Sequence, residues 1–249
     1  MDEFVGKVAL ITGAGRGLGR EIALAFSSLG VAVAANDVNP INLDETVNQI
    51  LRAGGNAKAY VFDIAKRMPI EGMVAQILEQ YGQIDVLVNH ASVEPDASIL
   101  DMDEWEFHRT LDVNLGGPFF CMQQVGRVMR ERGGGAIVNI ISPTGRRQAH
   151  KGGAAYAASQ SAMIGLTHAA AKELLPYSIR VNAVCSGVFE EQLLTSHDWN
   201  IHTLHQWLQL FPDVQRGNHP DLVGLVLFLS SKATASLTGQ VISIDTGEL

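Results

Sequence analysis

The sequence predicts an α/β protein, a doubly wound parallel sheet in three α/β/α layers, forming a single domain across its 249 residues. Three observations carry that expectation. Short, continuously apolar runs recur along the chain, and a segment with helical spacing follows almost every one. No linker rich in Pro, Gly or Ser divides the chain, and no internal repeat appears. Strands that are apolar on both sides must be covered on both faces, which calls for parallel pairing with crossover helices. Right-handed crossovers then wind such a sheet in two directions.

The elements follow in order. Val8–Thr12 is an apolar run ending in a glycine cluster, and Glu21–Leu29 has apolar residues at helical spacing up to Gly30. Val31–Ala35 is a second strand, and Ile41–Ala53 a helix stopped by Gly54 and Gly55. Ala57–Phe62 and Met68–Tyr81 form the next strand and helix, and Val86–Val88 a fourth strand. Met102–Arg132 is a long helical region interrupted around Gly116, Gly117 and Pro118. Ala136–Ile141, Tyr156–Leu174 and Ile179–Val184 continue the alternation, and Asp221–Ser230 and Val241–Ile244 close it. The stretch from about Val188 to Gly217 is long for a loop. It carries Trp199, Trp207, Phe211 and several leucines, which predicts a substrate lid. Two surface helices packed on the core would explain the same residues.

Composition excludes several classes. A chain of this mass buries roughly 28,000 Å² on folding, enough for a core without staples. Acidic residues exceed basic ones by 26 to 18, and no basic run occurs, which argues against nucleic-acid binding. No apolar stretch is long enough to span a membrane. The N-terminus lacks the basic start and apolar run of a secretion signal, so a cytoplasmic location is expected. Cys121 and Cys185 read as two buried thiols, and the eight histidines show no metal-ligand spacing.

The first strand runs into Gly13, Gly15, Arg16, Gly17, Leu18 and Gly19, a G-x-x-x-G-x-G pattern at a strand-to-helix turn. Glycines there let the backbone approach a pyrophosphate, and the helix N-terminus favours its charge. Asp37 ends the second strand, 18 residues after Gly19. A carboxylate in that place accepts from ribose hydroxyls and repels a 2′-phosphate, so NAD(H) is favoured. Arg16 pulls the other way and leaves NADP(H) open. Asp63 ends the third strand on the same edge, where its side chain can meet the adenine.

With these pieces the sequence resembles the short-chain dehydrogenase/reductase family, and is similar to its 3-oxoacyl-ACP reductase-like members. The resemblance covers nearly the whole chain. It is carried by Thr12–Gly19, Asp63 and Ile64, Asn89–Ser92, Asn114, Ile137–Ser142, Tyr156–Gln160, Arg180–Asn182 and Thr238–Gln240. It implies a Rossmann-type fold, a nicotinamide cofactor, a small-molecule carbonyl or alcohol substrate, and a homotetramer or dimer. Cofactor contacts are implied at Ile64, Asn89, Ala91 and Gly187 besides the glycine loop. Ser142 matches the substrate-binding serine, Tyr156 the general acid/base, and Asn114 the asparagine that supports a proton relay.

The family's lysine, one helical turn after the tyrosine, is Gln160 here. A cation about 4 Å from a phenol contributes roughly 4 kcal/mol at an effective dielectric near 20. That would bring a tyrosine from about 10 to about 7. Gln160 can bond a ribose but brings no charge, so Tyr156 is expected to stay protonated, and alcohol oxidation to suffer most. Lys151 and Arg146 precede Tyr156 on a loop and are the nearest substitutes in sequence. The family's Asn-Asn-Ala-Gly is Asn89-His90-Ala91-Ser92, its Pro-Gly is Ser186-Gly187, and the threonine expected beyond it is Glu191. Two readings follow. One is a hydride-transferring oxidoreductase with weakened activity. The other is a catalytically impaired relative that serves as a nucleotide-binding or scaffold subunit.

Overall fold

In the computed structural model, residues 3–145, 151–186 and 219–244 are described. Seven strands form one sheet, and every pairing is parallel. They are β1 (Val8–Thr12), β2 (Ala32–Asp37), β3 (Ala57–Val61), β4 (Val86–Asn89), β5 (Gly135–Ile141), β6 (Ile179–Ser186) and β7 (Val241–Ile244), in the order β3-β2-β1-β4-β5-β6-β7. Among the described residues the α-helices are α1 (Gly17–Ser28), α2 (Pro40–Arg52), α3 (Arg67–Tyr81), α4 (Glu104–Leu111), α5 (Gly117–Glu131), α6 (Ala154–Leu174) and α7 (His219–Ser230).

The apolar strand runs serve two cores, as a side-chain period of two requires. Ala9 and Ile11 face one cluster with Ile22, Phe26, Leu43 and Leu222 from α1, α2 and α7. Val8 and Leu10 face the other with Ile70, Met73, Val125 and Met129 from α3 and α5. This is the three-layer, doubly wound sheet that the sequence predicts. Its order reverses between β1 and β4, so the carboxyl ends of those strands flank the crevice where such sheets bind ligands.

Boundaries differ from expectation by a few residues at several elements, among them the following. Helix α1 begins at Gly17 rather than Glu21: Leu18 and Gly19 already lie in its first turn, entered through Gly17 at φ +50°. The interruption near Gly116 is a π-helical turn, Asp112–Gly116, that joins α4 directly to α5. Pro118 sits at the start of α5, directly after this turn. Helix α7 begins two residues early, at His219. The expected lid, about 188–217, lies outside the described residues, as do Gly187, Glu191 and Arg146. Among the described residues, no helix is long and apolar enough to cross a membrane.

Candidate active site

The glycine loop closes tightly on itself. A side chain at Gly19 would strike the Gly13 carbonyl and come within 2.8 Å of the His90 ring. One at Gly13, which has φ +69°, would lie 2.9 Å from both Ala91 Cα and His90 Nδ1. His90 therefore packs against the loop, between it and the end of β4. The Thr12 hydroxyl draws β4 in, accepting from the N–H groups of His90 at 3.0 Å and Ala91 at 3.2 Å.

Asp37 braces the same loop. Its Oδ2 accepts from the Gly15 N–H at 3.0 Å, and its Oδ1 from the Asn39 N–H at 2.9 Å. From below, Arg20 donates to the carbonyls of Gly15 at 2.6 Å and Asn42 at 3.2 Å, and to the Thr46 hydroxyl at 2.9 Å. Thr46, fully buried, donates on to the Ala14 carbonyl at 2.9 Å. Neither Arg20 nor Thr46 was expected at the site. The signal was available in Thr46, a polar residue on the apolar face of α2. No side chain caps the N-terminus of α1, so its leading N–H groups stay open to an anion, and Gly17 stands in open space. Arg16 is exposed beside it.

Asp63 is more committed than the sequence suggests. Its Oδ2 accepts from Arg109 at 2.8 Å and its Oδ1 from the Ala65 N–H at 2.9 Å. Partial burial pushes its pKa up, but the Arg109 bond and the Ala65 N–H outweigh that, and the carboxyl sits below its ordinary range. It ties the end of β3 to α4 before it can serve a ligand. Leu18 and Ile64 bury their side chains in the two cores, so only their backbone faces the crevice. Asn89 donates to Asn139 Oδ1 at 2.9 Å, and Asn139 to the Thr167 hydroxyl at 3.0 Å. That buried chain locks β4 to β5 and α6 through the Asn89 amide nitrogen.

The other half of the site gathers at the ends of β5 and β6. Tyr156 lies in the first turn of α6, 9% exposed, with the Ser142 and Ser92 hydroxyls both bonded to its own. Burial raises its pKa, and the charge of Glu94 raises it further; the two serines oppose that only in part, and Cys185 adds to the rise. Tyr156 is thus a neutral phenol at any physiological pH.

Gln160 is committed, through its carboxamide oxygen, to the turn after β5. It is 3% exposed, and its Oε1 accepts from the Ser142 N–H at 2.8 Å. The carboxamide fixes the turn that presents Ser142, whose hydroxyl also meets Thr144 Oγ1 at 2.9 Å. An ammonium at position 160 could not accept that bond. Lys151 is exposed, and it makes no hydrogen bond or ion pair among the described residues.

Asn114, 2% exposed, comes from the π turn. Its Oδ1 accepts from the Val93 N–H and its Nδ2 donates to the Val93 carbonyl, both at 2.8 Å. Nδ2 also donates to Ser159 Oγ at 3.1 Å, and Ser159 donates to the Tyr156 carbonyl at 2.7 Å. Asn114 therefore orients the 92–94 segment against Tyr156. Glu94, which sequence reasoning missed, is brought there by this clamp. Much of its side chain is open to solvent, yet burial of its carboxyl end and the neighbouring Asp96 push its pKa up to about 7.

The sequence model of the short chain dehydrogenase family matches residues 7–200. The chain belongs to the short-chain dehydrogenase family. A 3-oxoacyl-(acyl-carrier-protein) reductase FabG of Thermotoga maritima is 36% identical over 242 residues, covering 97% of each protein. An NAD+-bound xylitol dehydrogenase superposes with a TM-score of 0.89 at 31% identity, over 98% of this chain and 100% of that one. A 7α-hydroxysteroid dehydrogenase, solved with NADH and 7-oxo glycochenodeoxycholic acid, gives 0.90 at 30% identity, over 99% and 96%. Like these short-chain dehydrogenases, the chain is an oxidoreductase. In this chain His90 packs on the glycine loop, while Ser92 and Gln160 lie beside Tyr156 and Ser142.

Proposed function

We propose that the chain is an NAD(H)-dependent reductase of a small carbonyl compound, with Tyr156 donating the proton and Ser142 holding the carbonyl oxygen. The observation that supports it most is the neutral Tyr156 phenol, bonded to the Ser142 hydroxyl at the end of a sheet whose glycine loop is fully formed. The loop residues fit a dinucleotide. The uncapped α1 N-terminus and the space over Gly17 suit a pyrophosphate, and the Asp37 carboxylate suits ribose hydroxyls better than a 2′-phosphate. When bound, the nicotinamide supplies the hydride.

The protein's own part is proton donation. Ser142 and Tyr156 place two hydroxyl groups on a carbonyl oxygen that becomes an alkoxide. The phenol delivers its proton there, which general acids of this kind make worth about 10²- to 10⁴-fold. The reverse reaction needs the phenolate, which burial and Glu94 suppress. This fits a site that lacks the family's lysine and works toward the alcohol. A cytoplasmic homo-oligomer is the setting that the family resemblance implies.

Calorimetric titration with NADH and NADPH tests the cofactor. NADH should bind at least about tenfold tighter, and Asp37→Ala should erase that ratio even as it loosens Gly15. With a panel of aldehydes and ketones, Tyr156→Phe should lose at least about 100-fold in NADH-dependent reduction. Equal binding of both cofactors would remove the assignment of Asp37, and full activity in Tyr156→Phe would remove that of Tyr156. The second reading, an impaired nucleotide-binding or scaffold subunit, draws on one observation, the Gln160 carboxamide held by Ser142. Tight NADH binding without reduction of any carbonyl would favour it.

A further inference from the structure

We infer that His90 is a proton-coupled anchor for the cofactor's pyrophosphate: its ring, seated against the glycine loop, takes up a proton as the dinucleotide binds. The inference rests on the NAD(H) reading proposed above. It begins with the space that the glycines leave. A Cβ on Gly19 would lie 2.8 Å from His90 Nδ1, and one on Gly13 would lie 2.9 Å from it. The ring nitrogen therefore fills the gap between the first and last glycines of the turn, and it is buried there. The backbone fixes the ring in place. The His90 N–H donates at 3.0 Å to the hydroxyl of Thr12, the last residue of β1 before the loop.

The surroundings make the charge of this ring depend on what the loop carries. Helix α1 starts at Gly17 with no side-chain cap, so its positive end lies at the same turn. Arg16 is exposed just before it, and Arg20 donates to the Gly15 carbonyl at 2.6 Å. From β2, the Asp37 carboxylate accepts from the Gly15 N–H at 3.0 Å and offsets one of these cations. Asp63, beyond β3, is already paired with Arg109 at 2.8 Å. Strands β1 and β4 carry no charged residue. The protein's own balance at the turn is thus positive, and a buried nitrogen loses hydration on charging, so the neutral ring is favoured. A pyrophosphate brings negative charge to the same turn and favours the imidazolium instead.

The proton comes from solvent and adds to the bare ring nitrogen of the neutral tautomer; no other bond changes. Histidine ordinarily titrates at about 6.5, so the uptake falls within working pH. Proton and cofactor are then linked ligands, and dinucleotide affinity must rise as pH falls.

The test is calorimetric titration with NADH at pH 6 and pH 8, each in two buffers of different ionisation heat. ADP-ribose serves as a second probe that keeps the pyrophosphate and lacks the nicotinamide. Both should bind at least about tenfold tighter at pH 6, with net proton uptake shown by the buffer dependence of the heat. In His90→Asn and His90→Gln the pH dependence should vanish. Proton NMR of the ring Cε1–H, assigned by its loss in His90→Asn, should show the His90 midpoint rise by at least about one pH unit when NADH is added. The native pH dependence and proton uptake can be read without either variant. Equal native affinity at the two pH values, a pH dependence that persists in both variants, or a His90 midpoint that NADH does not move would overturn the inference and leave the cofactor reading standing. Failure of both NADH and ADP-ribose to bind at either pH would overturn the two together.

Discussion

Position 160 shows how one side chain can serve two opposed ends. A lysine there would draw the Tyr156 phenol down, while the glutamine present instead accepts the Ser142 N–H at 2.8 Å. Restoring the charge must cost that bond. Gln160→Lys should therefore raise alcohol oxidation at pH 8 by at least about tenfold, since each tenfold in rate corresponds to only about 1.4 kcal/mol of barrier. The same change should lower stability by about 1–3 kcal/mol, because the partly buried Ser142 N–H loses its acceptor. Rates at pH 8 and urea midpoints of the two proteins check both halves. A Gln160→Lys protein that is no less stable would show that the Ser142 turn holds without the carboxamide. The chemistry of position 160 was legible in the sequence, because i and i+4 share a helix face. The bond to Ser142 was not, since it joins residues 18 apart through the turn after β5. Glu94 was hidden for the same reason. Its neighbours in sequence say nothing of Tyr156, and only the Asn114 clamp brings the two together.

Among the elements, the β1–α1 turn is the most constrained. Its glycines, Thr12, Asp37, Arg20 and Thr46 form one hydrogen-bonded unit with β2 and α2. Gly19→Ala would set a methyl group on the Gly13 carbonyl and the His90 ring. Backbone on one side leaves little room to give, so we expect a loss of about 1–3 kcal/mol in stability. NADH affinity should fall at least about 100-fold with it, read by chemical denaturation and by calorimetry. Unchanged NADH affinity would mean that the cofactor does not use this loop. The glycine spacing made the turn readable, because it belongs to a contiguous stretch. The π turn before α5 was visible only as an interruption at Gly116 and Pro118. Its purpose, presenting Asn114 to Val93, depends on a partner 21 residues away.

Across the whole molecule, the alternation of apolar strands and helices was enough to give the sheet, its parallel pairing and its two cores. Each strand's pattern is local, and the crossover rule does the rest. The split character of the site belongs to this level as well. The crevice between β1 and β4 holds the fully formed glycine loop, while the ends of β5 and β6 hold a tyrosine that stays protonated. Such a protein should favour the direction that consumes a proton. The decisive measurement is the initial rate of NADH-dependent reduction and of NAD+-dependent oxidation of one carbonyl/alcohol pair between pH 6 and 9. Reduction should exceed oxidation by at least about tenfold throughout, and oxidation should show no inflection, because the folded-state pKa of Tyr156 lies above that range. An oxidation rate that climbs through an inflection near pH 7 and overtakes reduction would contradict it, since it would require a Tyr156 phenolate that this site does not stabilise.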